Sequence, residues 1–88
     1  MPFDSIIWDL DDDPDGNVRH CAEHGVTKEE VEDVFQNATD ADISRSSGRP
    51  VVFGDTSTGW HLLVVYEEID ADTVYPVTAY EVPKRQRP

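Results

Sequence analysis

The fold is decided at residues 23–31, which read EHGVTKEEV. Gly25 suits the positive φ that ends a helix. Thr27 then opens a capping box, because Glu30 follows three residues later and its carboxylate can reach back to the Thr27 amide. The stretch therefore predicts two short helices, over about 16–24 and 28–37, joined by a tight turn.

Each predicted helix has a narrow apolar face. In the first helix Val18, Cys21 and Ala22 are spaced i, i+3, i+4, and the second continues the pattern from Val31 to Phe35. Together with apolar strand positions downstream, these faces predict one shared core. Its expected members are Val18, Cys21, Val31, Val34, Phe35, Val52, Leu63, Val65 and Val77.

Residues 41–83 alternate β-forming runs with turn signals such as Ser46-Ser47-Gly48. Pro76 interrupts the last run, which predicts an edge strand or a bulge there. The sequence predicts an α+β fold in which two short N-terminal helices pack on a small antiparallel β-meander. The expected strands are 41–45, 50–55, 60–68 and 73–82, followed by a tail, 84–88.

Length and composition indicate a single domain over residues 1–88. The chain has neither an apolar run long enough to span a membrane nor a signal-peptide pattern. Its single cysteine, Cys21, excludes an intramolecular disulfide. We expect a cytoplasmic protein without a membrane partner.

The charge balance is strongly acidic. Nineteen acidic residues oppose seven Lys and Arg, giving a net charge of -12. Three of the bases are Lys84, Arg85 and Arg87, so residues 1–83 carry 4 − 19 = −15. Such a field repels phosphate backbones and anionic membranes. RNA is therefore disfavoured as a ligand, and a basic partner protein is favoured.

The acidic loop, residues 9–16, contains a pattern typical of calcium sites. Asp11, Asp13 and Asp15 precede Gly16 as D-x-D-x-D-G, but an EF-hand loop would need a glutamate where Ala22 stands. The favoured alternative is a solvated loop whose Asp15 caps the first helix.

His20, Cys21 and His24 form a second candidate metal cluster, since the two histidines are spaced i, i+4. A zinc site would need further ligands, from Cys21 or His61, yet Cys21 should point into the core. The alternative is that His24 ends the helix, where a partly charged imidazole meets the helix dipole. We expect no metal and no cofactor.

Motifs for other chemistry are missing from the sequence: it has no nucleophile elbow, phosphate loop or dinucleotide fingerprint. Its Trp and Tyr side chains could stack nucleic-acid bases. At these positions aromatic residues are more typical of a core or a sheet surface.

Several segments together resemble one family. They are Ile7-Trp8-Asp9, Asn17-Val18-Arg19-His20, residues 23–31, Val34-Phe35, Gly48-Arg49, Phe53-Gly54, residues 63–67 and residues 75–79. Over residues 6–83 the chain resembles the BrnT-family toxins. The His-Gly-Val turn with its capping box is the most specific part of the match.

This resemblance implies a RelE-like fold and a ribonuclease toxin that a partner antitoxin neutralises. Such enzymes cut RNA with basic and polar side chains on the sheet, which orient the 2′-hydroxyl and stabilise phosphorane charge. By motif, His24 matches the histidine before Gly-Val, and Arg49 matches the arginine that opens the strand leading to Gly54. Arg45, His20 and His61 complete the candidate catalytic set.

The chain also departs from the family pattern. BrnT-type toxins are usually basic, and their closing strand usually carries Ser-Ala-Arg where this chain has Thr78-Ala79-Tyr80. A second hypothesis is therefore a non-catalytic acidic domain that binds a basic partner. Arg45 and Arg49 discriminate the two: convergence with a histidine in one cleft favours the ribonuclease, whereas ion pairs with surface carboxylates favour the binding domain.

Overall fold

The computed structural model describes residues 5–83, and the predicted tail, 84–88, lies outside them. The α+β class predicted from the sequence is confirmed. The elements in chain order are β1 (Ser5–Ile6), α1 (Asn17–Glu23), α2 (Lys28–Gln36), β2 (Ala38–Ile43), β3 (Pro50–Asp55), β4 (His61–Asp70) and β5 (Thr73–Glu81). No helix within residues 5–83 is long and apolar enough to cross a bilayer.

The sheet has five strands in the order β1-β5-β4-β3-β2. Strands β2 to β5 form the expected antiparallel meander, but the sheet is mixed because β1 pairs parallel to β5. The purely antiparallel prediction was wrong at this point. β1 is a strand only because its backbone pairs with the edge of β5. The amides of Ser5 and Ile7 donate to the carbonyls of Asp72 and Val74. A strand of two residues has no periodicity to reveal it.

The turn between the helices has the predicted chemistry. The Glu30 amide donates to the Thr27 hydroxyl over 3.2 Å, and the Thr27 amide donates to the Glu30 carboxylate over 3.0 Å. Gly25 has φ +76°, a conformation that side chains with a Cβ rarely adopt. The predicted capping box is therefore confirmed.

The start of α1 differs from the prediction, because Asp15 does not cap it. The N-cap is Gly16, which makes no side-chain bond, and the Asp9 carboxylate accepts from the Asn17 amide over 2.9 Å. The loop folds back so that its first aspartate, rather than its last, meets the helix amide.

One face of the sheet packs against both helices. The core there consists of Cys21, Val26, Val31, Val34, Phe35, Val52, Leu62, Val64, Tyr66, Val74 and Ala79. Of the nine predicted core residues, five belong to this core; Val65 is buried on the other face of the sheet, and Val18, Leu63 and Val77 are half-buried. A Cβ on Gly54 would lie 3.2 Å from the Val34 carbonyl oxygen, so glycine lets α2 approach β3 closely.

The other face, which we call the distal face, is defined by the strand register. Side chains alternate along each strand, and directly paired residues share a face. The helix side chains of the core, Cys21, Val31, Val34 and Phe35, pack on the opposite face. The distal face comprises Asp40, Asp42, Val51, Phe53, Asp55, His61, Leu63, Val65, Glu67, Tyr75, Thr78 and Tyr80.

The largest differences from the expected strands are the start of β2 and a bulge in β5. β2 begins at Ala38, directly after α2, and residues 44–49 form the hairpin turn, so the expected strand 41–45 began too late. In β5 the register shifts where Val65 pairs with Thr78 but Tyr66 pairs with Pro76. This bulge at Val77 confirms the interruption predicted from Pro76.

Candidate functional site

Arg49 lies just before β3, at one end of the distal face. Its Nε donates to the Glu67 carboxylate over 3.1 Å, and the two side chains are 43% and 48% exposed. The arginine charge is thus neutralised by a neighbour on β4. A solvent-exposed ion pair of this kind contributes little to stability. It nevertheless places a negative charge directly beside the Arg49 guanidinium.

His61 lies at the opposite end of the same face. Its Nδ1 is 2.9 Å from an Asp55 carboxylate oxygen, and its ring stacks on Phe53 with centroids 6.3 Å apart. The His61 side chain is only 14% exposed. The carboxylate and the phenyl ring together fix the imidazole orientation.

The two helix histidines lie on α1 and at its end. His24 is the C-cap residue of α1, and its ring centroid lies 5.6 Å from that of Tyr80. His20 is exposed in the last turn of α1. Cys21 between them is buried, and burial raises the pKa of its thiol to about 11. The thiol therefore stays protonated and faces the core, as predicted.

These candidates do not converge. Residues 49–55 span about 20 Å at roughly 3.3 Å per residue. His61 pairs with Asp55 at the far end of this span from Arg49. Arg45 is exposed in the β2–β3 turn, further beyond Arg49, and has no ion pair with any carboxylate in the described chain. The structure thus brings His24 to Tyr80 and His61 to Asp55, but unites neither arginine with a histidine.

The acidic loop makes local bonds instead of a ligand cage. Asp11 forms an ion pair of 3.0 Å with Lys28, and Asp13 accepts from the Asp15 amide over 3.0 Å. Within residues 5–83 no three His, Cys, Asp or Glu side chains are placed to hold a metal ion. The loop is therefore bound to the start of α2.

Sequence reasoning missed a polar cluster formed by Asp9, Asn17 and Tyr75. The Asn17 side chain accepts from the Asp9 amide and donates to the carbonyls of Ile7 and Pro76, each over 2.9 Å. The Tyr75 hydroxyl donates to Asp9 over 2.5 Å, which lowers the pKa of Asp9 and raises that of Tyr75 to about 12. No local motif could have shown this cluster, because its members are far apart in the sequence.

Sequence reasoning also missed how the free edge of β2 is protected. In an antiparallel ladder every second amide points away from the partner strand, and in β2 these are the amides of Ala41 and Ile43. Each donates to the carboxylate of the preceding aspartate, Asp40 or Asp42, over 2.9 and 2.8 Å. The outward donors of this edge are thus already bonded.

Comparison with known proteins adds no relative. The chain matches no protein-family model, no curated protein and no solved structure.

Proposed function

We propose that the chain is a non-catalytic relative of the BrnT-family toxins, an acidic domain that binds a basic protein partner. The observation that carries this proposal is the ion pair between Arg49 and Glu67. Arg49 is the residue that the motif match aligns with a toxin arginine. Here its positive charge is shared with a carboxylate rather than presented to a phosphate.

The spread of the candidate groups argues against RNA cleavage. Phosphodiester transfer needs an acid, a base and a cation within hydrogen-bond reach of one scissile phosphate. Arg49 and His61 instead lie at opposite ends of the distal face, and His20 lies on a helix. A single phosphate could not contact all three.

The negative net charge of the chain also argues against RNA cleavage. Residues 5–83 contain 18 of the 19 acidic residues and only four Lys and Arg, so their formal charge is 4 − 18 = −14. Phosphate contacts supply most of the affinity of proteins for nucleic acid. A surface with this charge repels RNA and attracts basic proteins.

The fold supports a BrnT-like and RelE-like assignment in its order of elements. Two helices precede an antiparallel meander and pack on one of its faces, as the resemblance implies. The parallel β1 is an addition at the edge of β5. A reducing cytoplasmic setting fits the single free thiol of Cys21.

The direct test is incubation of the purified chain with total RNA at low salt. We expect no cleavage by the wild type or by Arg49→Ala. The matched control is Arg45→Ala, which removes the same charge from the nearby turn. Robust cleavage by the wild type that Arg49→Ala abolishes and Arg45→Ala retains would refute the proposal and establish a ribonuclease.

A further inference from the structure

We infer that the basic partner docks by strand addition on the last four residues of β4, residues 67–70, which we call the open edge. A segment of the partner in extended conformation pairs with the backbone there, and its Lys or Arg side chains meet the acidic side chains of β4. This inference rests on the proposed function and adds the site and the chemistry of its ligand.

The open edge exists because β4 extends beyond the end of β3. The pairing of β3 with β4 ends at Val51 and Val65, and the preceding residue of β3, Pro50, has no N–H to donate. On its other side β4 continues to pair with β5 as far as Asp70. Residues 67–70 are therefore paired on one side only, and all four are exposed.

The backbone of Glu68 points out from the open edge. Glu68 pairs with Val74, and the Val74 carbonyl accepts from the Ile7 amide of β1 over 2.9 Å. In an antiparallel ladder the two residues of a pair either bond to each other or both point away, so the N–H and C=O of Glu68 point away from β5. Among residues 5–83 neither group has a hydrogen-bond partner. Unbonded edge groups of this kind are a template for pairing with another chain.

The neighbouring edges of the sheet are less accessible to an added strand. In β2 the outward amides of Ala41 and Ile43 already donate to the carboxylates of Asp40 and Asp42. At the level of the open edge, the outer side of β5 is paired with β1. Strand addition is thus directed to β4.

The side chains of the open edge select a basic segment. Glu68 and Asp70 are exposed, and Asp70 keeps its negative charge while it accepts from the Asp72 amide over 2.9 Å. Cross-strand pairs of opposite charge stabilise a ladder, which favours Lys or Arg opposite these two acids. Between them Ile69 is 54% exposed and offers an apolar contact. The segment that fits therefore alternates basic and apolar residues.

The first experiment is a fluorescence-anisotropy titration of the full chain with a labelled peptide of alternating Leu and Arg. The same peptide with Glu in place of Arg is the charge control. We expect Glu68→Pro to weaken binding at least about tenfold, because proline removes the outward N–H. The fold tolerates this change, since proline is accepted in edge strands where the N–H faces solvent.

Glu68→Ala is the matched control for the proline variant. It removes the same carboxylate but keeps the outward N–H. The peptide should therefore bind this variant less than about threefold more weakly than the wild type, because a single exposed charge pair contributes little. Equal weakening by the two substitutions would overturn strand addition, since only the charge of Glu68 would then be recognised.

A second measurement, hydrogen exchange of the wild-type chain, needs no substitution. In the free chain the Glu68 amide should exchange faster than the Glu67 amide, because Glu67 faces its partner Tyr75 on β5. A saturating concentration of the Arg peptide should slow exchange at Glu68 at least about tenfold. Unchanged exchange at Glu68 in the saturated complex would overturn the inference.

The outcomes separate the inference from the proposed function. If the Arg peptide binds no better than the Glu peptide, the proposed function fails and the inference fails with it. If the Arg peptide binds the wild type and Glu68→Pro equally well, the open edge is the wrong site and the proposed function stands.

Discussion

At the scale of single residues, Asn17 is the polar side chain on which the N-terminal half depends. It is 1% exposed, and its amide group bonds to the backbone of Ile7, Asp9 and Pro76. Removing it leaves buried carbonyls without donors, which is more costly than losing a solvated bond. We expect Asn17→Ala to lower the free energy of unfolding by about 2–3 kcal/mol in urea titrations.

Asn37→Ala is the matched control for that substitution. The Asn37 side chain donates to the Asp33 carbonyl at an exposed position, so water can replace it. Its loss should cost less than about 1 kcal/mol. Equal effects of the two substitutions would show that the Asn17 cluster has no special role in stability.

The Asp9–Tyr75 bond predicts a pH dependence. Donation from the Tyr75 hydroxyl, and then from the Asn17 amide, lowers the pKa of Asp9 in the folded chain below its ordinary 3.8. The stabilisation is therefore fully present above that pH and is lost as the pH falls through the folded pKa. Tyr75→Phe should reduce the loss of unfolding free energy between about pH 6 and about pH 2.

The same bond acts in the opposite sense at alkaline pH. Because the bond to Asp9 raises the pKa of Tyr75 to about 12, its contribution is fully present below the ordinary phenol pKa of 10.0 and is lost as the pH rises from there through the folded pKa. Unfolding curves recorded from acid to alkali on the wild type and Tyr75→Phe would check both limbs. Parallel pH profiles of the two chains would contradict the assignment.

The residue scale also shows where sequence reasoning succeeds. The capping box was predictable because Thr27 and Glu30 are three residues apart and the bond is local. Tyr75 and Asp9 are separated by 66 positions, and Asn17 and Pro76 by 59. Such contacts depend on the finished topology, so no local pattern shows them.

At the scale of elements, β2 is an edge strand whose outward amides are bonded by its own Asp40 and Asp42 carboxylates. Exposed edge amides template pairing with other chains, and proteins block them with charged side chains. We expect the double substitution Asp40→Ala with Asp42→Ala to promote dimers and larger species. Light scattering after size-exclusion chromatography at increasing concentration would measure them.

The control for the edge removes the same charge elsewhere. Asp12→Ala with Asp15→Ala changes two exposed aspartates of the acidic loop, neither of which lies in a strand. This variant should remain as monomeric as the wild type. If both double variants associate equally, loss of net charge rather than exposure of the edge is the cause.

The type of an element was easier to predict from the sequence than the strand that pairs with it. Pro76 was enough to predict a disturbed strand, and the structure has a bulge there. β1 has only two residues, and the edge of β5 rather than its own sequence makes it a strand. Pairing partners of this kind follow from the assembled sheet.

At the scale of the whole molecule, the register of β3 against β4 determines how far apart the candidate catalytic residues lie. The five candidate residues could be named from motif and chemistry, but their separation could not. The pairing of Asp55 with His61 and of Val51 with Val65 sets His61 and Arg49 at opposite ends of two adjacent strands. Net charge, by contrast, is fully readable from composition, and it favours a basic partner.

The preference of the chain for a basic protein over RNA can be tested in a single anisotropy experiment on the wild type at low salt. It compares a labelled Leu/Arg peptide with a labelled single-stranded RNA of similar length. We expect the peptide to bind and added salt to weaken its binding, because acidic residues provide the attraction. We expect no RNA binding at the same protein concentrations. RNA binding tighter than peptide binding would contradict the preference for a basic protein partner.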